Sequence, residues 1–295
     1  MHQTAHSEYG KLHSLFVKKA ANAFVDEKHL DKNWQDLNYL SKPDFDKAVS
    51  EYEKFESILK NHASIIYHLP QNDLVNMDSI YCRDAAIATN KGMIVCNMGK
   101  AARNNEPLAE KKAFIENNVD VLGAITAPGT VEGGDVAWLD ENTLAVGHTY
   151  RTNEEGIDQL RALLKPIGVE LVVTSLPHYK GANDVFHLMS IFSPVDKDLA
   201  VVYSPLMPIS FRNLLIRKGY AFVEVPDEEF DSMGCNVLAL APRECLMVSG
   251  NPKTKSRLEK AGCEVIEYMG DEISVKGGGG PTCLTRPLMR ESVNA

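Results

Sequence analysis

Five stretches of the sequence place a chemically reactive side chain directly before an apolar run that predicts a strand. These side chains are Asp84, Glu132 with Asp135, His187, Cys235 and Cys283. Cysteine attacks carbon as a thiolate, histidine transfers protons, and carboxylates bind planar cations through paired hydrogen bonds. Together in one pocket, such groups would suit attack on the central carbon of a guanidinium, whose charge would favour the thiolate.

Cys283 follows an unusually bare backbone, because Gly277 to Gly280 are consecutive glycines and Pro281 comes next. Glycine accepts positive φ and lets another group approach the main chain closely. The stretch therefore predicts either a ligand or another chain segment lying against this loop. A flexible loop before a strand with a buried cysteine is the alternative, since free cysteine is often buried.

Each of the other residues also has a purely structural interpretation. His187 lies in an apolar run and could be a buried, hydrogen-bonded histidine. Glu132 and Asp135 flank a glycine turn, where acidic residues often cap the backbone, and Asp84 could pair with its neighbour Arg83. A zinc site made by Cys283, His187 and Cys235 is a further alternative, although the short ligand spacings of zinc sites are absent.

The elements that would position these side chains repeat along the chain. A pattern of strand, turn, strand, helix and strand begins at Ala85 and restarts at Val136, Leu188 and Asn236, a spacing of about 50 residues. The second helix is predicted to begin with a capping box, Thr152 with Glu155. The final strand, 284–289, has no hairpin partner after it. The strand at 12–17, a helix from Ser41 to Lys60 and the strand at 64–69 could complete its unit.

The sequence therefore predicts a single α/β domain over residues 1–295, a five-bladed propeller of ββαβ units with pseudo-fivefold symmetry. Equivalent positions in such a ring point the same way, so the reactive side chains are expected to converge on the axis. An open α/β sheet with irregular insertions is the alternative architecture. The helix at 41–60 is predicted to have Ser41 as its N-cap and Pro43 in its first turn.

Composition limits the classes of partner. The 295 residues carry a formal net charge of −9 without a Lys/Arg run, which argues against nucleic acid. No apolar stretch is long enough to span a membrane, and the N-terminal MHQTAHSEYG lacks the apolar core of a signal peptide. The six cysteines are scattered, so we expect reduced thiols and a cytoplasmic location. Whether the protein is a monomer or a homodimer stays open.

The chain resembles the guanidino-group-modifying enzymes, which comprise dimethylarginine dimethylaminohydrolase, arginine deiminase and the amidinotransferases. The resemblance runs from SEYGKL at 7–12 to the C-terminal CLTRPL. It rests on five motifs in order: MDSIYCRD (77–84), PGTVEGGD (128–135), YRTNEEG (150–156), FHL (186–188) and GGGGPTC (277–283). This family shares the five-bladed α/β propeller, called the pentein fold, and needs no metal or organic cofactor.

The resemblance implies a role for each site residue. Cys283 would be the nucleophile, His187 the general acid and base, and Glu132 the group that orients the histidine and holds the guanidinium. Asp84 and Asp78 would bind guanidinium nitrogens, and Arg151 would bind the substrate's α-carboxylate. Arg83 and Asp135 complete the expected substrate-binding group.

One departure concerns the substrate. Dimethylarginine hydrolases carry Glu-Asp where this chain has Arg83-Asp84, and Arg-Asp is the form of arginine deiminases and amidinotransferases. YRTNEEG and the chain length are closer to the dimethylarginine hydrolases. The leading hypothesis is a hydrolase of a small arginine-type guanidino compound through a covalent thiouronium on Cys283. An amidinotransferase is the alternative, and a non-catalytic binder of arginine-like ligands is a third hypothesis.

Overall fold

The computed structural model describes residues 2–181 and 186–293. Seven α-helices are present in the described residues: α1 (Ala20–Phe24), α2 (Glu27–Asn33), α3 (Phe45–His62), α4 (Glu106–Glu116), α5 (Glu154–Leu164), α6 (Ile209–Arg217) and α7 (Pro252–Lys260). The first strands are β1 (Gln3–Thr4), β2 (Leu12–Val17), β3 (Ile65–His68), β4 (Ala86–Thr89), β5 (Gly92–Val95), β6 (Val121–Ala124), β7 (Val136–Asp140) and β8 (Thr143–His148). The others are β9 (Glu170–Ser175), β10 (Phe192–Asp196), β11 (Leu199–Val202), β12 (Ala221–Glu224), β13 (Leu238–Ala241), β14 (Glu244–Val248), β15 (Glu264–Tyr268) and β16 (Thr285–Glu291).

These elements form five small sheets that repeat one plan. In four of them, a hairpin is followed by a helix and then by a strand parallel to the second hairpin strand; the sheet orders are β4-β5-β6, β7-β8-β9, β10-β11-β12 and β13-β14-β15. This is the predicted ββαβ unit, and the predicted five-unit propeller fold is confirmed.

The fifth sheet joins the two ends of the chain. β16 pairs antiparallel with β2, and β2 pairs parallel with β3, with β1 added at the outer edge of β16. The last strand therefore finds its hairpin partner at the N-terminus, as the unpaired final strand of the sequence predicted. Buried apolar side chains of the hairpin strands and of the inner faces of the helices fill the core.

Helix α5 shows why these segments fold as they do. Ile157, Leu160 and Leu164 recur at three- and four-residue steps and are buried, so one face of the helix packs on the sheet. Burial of each such side chain contributes about 1.5–3 kcal/mol. The N-cap is Asn153, whose side chain accepts a hydrogen bond from Gly156 N. The predicted capping box with Thr152 as N-cap is wrong, because the Thr152 hydroxyl donates its hydrogen bond to Asp135 Oδ2 instead.

Helix α3 also begins later than predicted. Its N-cap is Asp44, whose carboxylate accepts from Lys47 N at 3.0 Å, so Ser41 and Pro43 lie before the helix. The backbone N of Asp44 is in turn held by Glu272 Oε2 at 2.8 Å. This long-range contact fixes the helix start at a position that local sequence preference does not reveal. No described helix is long and apolar enough to cross a lipid bilayer.

Candidate active site

Three of the reactive side chains, Asp84, His187 and Cys283, line one cavity of about 120 Å³ at the start of the first strands of the units. Its lining includes Asp78, Asp84, Lys100, Arg103, Arg151, His187, Asn236 and Cys283. A wider cavity of about 380 Å³ shares Lys100, Arg151 and Asn236 with it. The two together fall in the size range of small-molecule sites, roughly 300–1,000 Å³.

His187 is held at a fixed place and orientation. Its Nε2 lies 2.8 Å from Glu132 Oε2, and its Nδ1 lies 4.0 Å from Asp84 Oδ1. The backbone N of His187 donates to Ser190 Oγ at 3.1 Å, and the next amide, Leu188 N, donates to Asp135 Oδ1 at 3.1 Å. His187 is therefore an oriented site histidine with carboxylates on both sides.

The surrounding carboxylates set the charge of His187. Burial lowers the pKa of the imidazole, but Asp135, Asp84 and the hydrogen bond to Glu132 outweigh burial and raise that pKa to about 9. Burial also acts on Glu132, where it raises the pKa, yet the His187 hydrogen bond and the nearby cations bring it below its usual value. At neutral pH the pair is consequently imidazolium and carboxylate.

Cys283 is the most accessible of the six cysteines, since the other five are buried and Cys283 is half-buried. Asn236 Nδ2 donates to its Sγ at 3.3 Å, while Asn236 Oδ1 accepts from Thr282 N and Thr282 Oγ1 at 3.0 and 2.7 Å. Burial and the charge of Asp84 raise the pKa of the Cys283 thiol, and the Asn236 and Thr282 contacts oppose that rise. We therefore expect Cys283 to be a thiol rather than a thiolate at neutral pH when no cationic ligand is bound.

Another segment of the chain lies against the bare glycine loop, which is one of the two explanations that the sequence offered. A Cβ on Gly279 would lie 2.4 Å from Tyr81 Cε1, so the loop packs against that ring, and Gly278 has a φ of +75°. The same two glycines line the cavity beside Cys283. A side chain here would have to displace the Tyr81 ring or enter the cavity.

Asp84 has one oxygen in use and one free. Its Oδ2 accepts from Arg103 Nη1 at 2.6 Å. Its Oδ1 is buried and has no hydrogen-bond partner in the described part of the chain. A Cβ on Gly134 would lie 2.7 Å from this oxygen, so the glycine keeps open the space in front of it. An unpaired buried carboxylate oxygen is costly, and an N–H group of a bound ligand would remove that cost.

Two cations complete the polar lining. Lys100 Nζ donates to Asp78 Oδ2 at 2.7 Å and to Leu37 O at 3.0 Å. Arg151 Nη1 lies 3.3 and 3.4 Å from the two oxygens of Glu132. Asp78 and Glu132 are thus already neutralised by the protein, and Arg151 stands where the two cavities join.

Asp135 lies behind the site and is absent from the cavity lining. Its Oδ2 accepts from the hydroxyls of Thr149 and Thr152, each at 2.7 Å. Burial raises its pKa to about 6, so it is ionised at neutral pH and adds negative charge near His187. Its position suits support of the histidine rather than contact with a ligand.

Arg83 is outside the site, although the sequence placed it in the substrate-binding group. Its Nη2 lies 2.8 Å from both carboxylate oxygens of Glu8, in the buried interior. Both residues lie in the turn before β4, and within it Arg83 faces the interior while Asp84 lines the cavity. The suggested Arg83–Asp84 ion pair is absent, and Arg103 takes its place.

Asn236, Lys100 and Arg103 are site residues that the sequence reasoning missed. For the fourth unit it singled out Cys235, whose Sγ is buried and donates to Val201 O at 3.7 Å. The next residue, Asn236, contacts the Cys283 thiol. Nothing in the segment around Lys100 and Arg103 distinguishes these residues from ordinary surface cations.

Asp84, Glu132 and His187 are also the group in the described residues that could ligate a metal, with ligand atoms within 4.8 Å of one another. Neither Cys235 nor Cys283 belongs to that group, so the proposed thiol–imidazole zinc site is wrong. A cation there would compete with Arg151 for Glu132 and would occupy the free oxygen of Asp84.

Comparison with known proteins finds relatives among the guanidino-group-modifying enzymes that the sequence motifs resemble. Residues 20–290 match the family described as N,N dimethylarginine dimethylhydrolase, eukaryotic. The chain is 25% identical over 286 residues to the uncharacterized protein YkgA of Bacillus subtilis, covering 96% of this chain and 94% of that one. It is 26% identical over 248 residues to an N(G),N(G)-dimethylarginine dimethylaminohydrolase of Pseudomonas aeruginosa, covering 84% and 91%. An arginine deiminase of Listeria welshimeri is 25% identical over 255 residues, 72% of this chain and 62% of that one.

Solved structures share the fold. The Pseudomonas aeruginosa DDAH, in a cysteine-to-serine mutant complexed with citrulline, superposes with a TM-score of 0.75 at 22% identity, covering 94% of this chain and 99% of that one. SxtG, an amidinotransferase of Microseira wollei in the saxitoxin biosynthetic pathway, gives a TM-score of 0.77 at 14% identity, covering 98% of each chain.

The fold and these relatives place the protein in the guanidino-group-modifying enzyme superfamily. Within that superfamily, the match over residues 20–290 shows that the chain belongs to the N,N dimethylarginine dimethylhydrolase family.

Proposed function

We propose that the protein hydrolyses an arginine-type guanidino compound through a covalent thiouronium on Cys283. The observation that carries the proposal is the free Oδ1 of Asp84, which lies 4.0 Å from His187 Nδ1 in the cavity that also holds the Cys283 thiol. A guanidinium donating N–H to that oxygen would have its central carbon beside both reactive groups. Asp78 lines the same cavity and, although paired with Lys100, would accept a further N–H of the ligand.

The first half of the reaction uses the resting charges of the site. The bound cation favours loss of the Cys283 proton to solvent, and the thiolate then attacks the guanidinium carbon. The C–N bond to the departing amine breaks while His187 Nδ1 donates its proton to that nitrogen. The products of this half are a thiouronium on Cys283 and a free amine.

The second half restores the enzyme. His187, now neutral, takes a proton from water, and the resulting hydroxide attacks the same carbon. The tetrahedral intermediate then loses its hydroxyl proton to solvent and its C–S bond breaks, which releases a neutral ureido compound and the Cys283 thiolate. The thiolate regains from solvent the proton that it lost in the first half, and the free amine takes up the hydroxyl proton. Overall, one water and one guanidinium give one urea and one ammonium ion, so atoms and charge balance.

Arg151 is proposed to bind the α-carboxylate of the substrate. It lines both cavities, so a chain that runs outward from a guanidinium at Asp84 would pass it. Because Arg83 pairs with Glu8 and does not line the cavity, the Arg-Asp sequence does not by itself exclude a methylated guanidinium. Dimethylarginine and arginine are both proposed substrates, and relatives named for each activity match the chain.

An amidinotransferase is the second candidate, favoured by the outer cavity of about 380 Å³, which could admit an acceptor amine. The experiment that separates the two is product analysis on a panel of arginine, methylated arginines, agmatine and guanidino acids. A hydrolase releases a ureido product without any acceptor. Formation of product only when an amine such as glycine is added would favour the transferase. The cytoplasmic location stays a prediction, and a homodimer stays one of the two oligomeric states left open by the sequence.

A further inference from the structure

A second cavity, of about 270 Å³, lies between the end of β2, the loop after β3 and helix α4. Its polar lining includes Lys18, Ser79, Glu106 and Glu110, with Lys112 and Glu116 also contributing. No described residue lines both this cavity and the candidate active-site cavity. It is therefore a separate space that the proposed reaction does not use.

Two buried polar atoms of this lining lack partners. Glu110 Oε2 and Ser79 Oγ have no hydrogen bond in the described part of the chain, although the two residues are only 4% and 7% exposed. Leaving a buried acceptor unsatisfied costs about 1–3 kcal/mol. Two such atoms in one lining indicate a missing hydrogen-bonding group.

The other charged groups that line this cavity already have partners. Arg103 Nη2 donates a hydrogen bond to Glu106 Oε2 at 2.7 Å. The ammonium group of Lys18 donates a hydrogen bond to Pro70 O at 2.5 Å. Lys112 faces Glu116 at 3.8 Å. Glu110 is therefore the carboxyl group that no described hydrogen bond satisfies. A calcium-type ion would need six to eight oxygens, more than this lining leaves free.

We propose that this cavity binds a small organic monocation with N–H donors, an alkylammonium or alkylguanidinium group, on Glu110 and Ser79. Such a head group donates directed hydrogen bonds to the carboxylate and the hydroxyl, and charge-assisted bonds of this kind are the stronger ones. The nearby ammonium of Lys18 disfavours a dication. The apolar lining from Leu69, Val75 and Ala113 suits a short alkyl chain.

Two short connections join the walls of this cavity to those of the candidate active site. Ser79 directly follows Asp78 in the short helix Met77–Ile80, and the two side chains line different cavities. Glu106 binds Arg103, whose Nη1 donates to Asp84. A ligand that draws Glu110 or Ser79 toward itself therefore acts on elements that hold both acidic residues of the active site.

Ionisation of Glu110 gives the binding a distinct signature. Burial, and then the charge of Glu106, raises the pKa of Glu110 well above its usual value, which favours the protonated form when no cation is bound. A cation bound there would favour the carboxylate. Binding should then release up to about one proton per site to the buffer.

Isothermal titration calorimetry with n-propylammonium chloride, in two buffers of different ionisation enthalpy, tests the proposal. We expect n-propylammonium to bind saturably and with release of protons. Tetramethylammonium, which lacks N–H donors, should neither bind nor compete. Glu110→Gln should weaken binding by at least about tenfold and abolish proton release. Glu259→Gln, which changes an exposed glutamate of helix α7 outside this cavity, is the matched control and should bind as wild type.

Ser79→Ala provides a second variant and should weaken binding without changing proton release. Binding that is unchanged in Glu110→Gln would overturn the proposal, because it would place the ligand elsewhere, including at Asp84. Absence of binding by wild type would overturn it equally. A crystal soaked with the amine should show it on Glu110, and ordered water alone at that position would contradict the proposal.

Discussion

His187 Nε2 lies 2.8 Å from Glu132 Oε2, and the opposite ring nitrogen, Nδ1, faces the free oxygen of Asp84 at 4.0 Å. Since Glu132 occupies Nε2, Nδ1 is the nitrogen that can exchange a proton with a bound ligand. The same side of the ring faces the space kept open by Gly134. On this orientation we base the proposal that Glu132 positions the imidazole and that Asp84 receives a guanidinium.

Replacing the histidine should therefore affect chemistry more than affinity. His187→Ala should lower kcat by roughly 10²–10⁴-fold, the usual contribution of a positioned acid or base. Substrate affinity, measured by calorimetry in a Cys283→Ser background to prevent turnover, should change little. Loss of affinity with a retained kcat would make His187 a binding residue instead.

The charge of His187 is a second testable property. We expect its imidazole to titrate near pH 9, because the Asp135 and Asp84 carboxylates outweigh burial. Removing one negative charge must lower that pKa, so Asp135→Asn should shift the titration downward. NMR titration of the ring signal, assigned by its loss in His187→Asn, measures both values.

The matched control for that experiment is Asp140→Asn, which removes a carboxylate paired with Lys218 at the end of β7. It should leave the His187 titration unchanged. An imidazole that titrates below pH 7 in the wild type would contradict the protonated resting state.

Asn236 should set the reactivity of Cys283. Asn236→Ala removes the N–H donor at 3.3 Å from Sγ, so the thiolate is less stabilised and its pKa rises. A hydrogen bond to a charged group contributes about 1.5–3 kcal/mol, which corresponds to roughly a 10–100-fold loss of kcat/KM. Alkylation by iodoacetamide should also shift to higher pH, and mass spectrometry can follow it at Cys283 because the other five cysteines are buried.

The neighbouring variant Cys235→Ala is the control, since its Sγ is directed to Val201 O. It should be alkylated at Cys283 like the wild type. If both variants alter alkylation alike, the effect arises from disturbance of the loop rather than from the Asn236 hydrogen bond.

Arg151 decides whether the substrate carries an α-carboxylate. Its contact with Glu132 predicts that Arg151→Ala will impair every substrate to some degree. A carboxylate-bearing substrate should lose at least about tenfold more kcat/KM than agmatine, which lacks that group. Equal losses for arginine and agmatine would mean that Arg151 only holds Glu132.

The fold could be predicted from the sequence because the patterns that indicate its strands and turns are local. Turn residues between apolar runs recur at each unit, and the unpaired last strand pointed to closure with the N-terminus. Helix starts were less accessible. Asp44 and Asn153 cap α3 and α5 in place of Ser41 and Thr152, because Glu272 and Asp135 engage these segments from distant parts of the chain.

Site residues could be predicted from the sequence where a rare, reactive residue precedes a predicted strand, as at His187 and Cys283. Site residues could not be predicted where tertiary contacts decide which side chain faces the cavity. Arg83 turns inward to Glu8, and Asn236 rather than Cys235 reaches the thiol. The pairing of Asp84 with Arg103 joins residues 19 positions apart and has no sequence signature.

The measurement that tests the central claim most directly is mass spectrometry of enzyme quenched in acid during turnover of an arginine-type substrate. We predict a mass increase equal to the amidino group with its remaining substituents, mapped to the peptide that contains Cys283. Cys283→Ser should form no adduct and no product while keeping the wild-type melting temperature, since a serine hydroxyl is far less ionised than a thiol. Full activity in Cys283→Ser, or steady turnover with an adduct on another residue, would contradict covalent catalysis by Cys283.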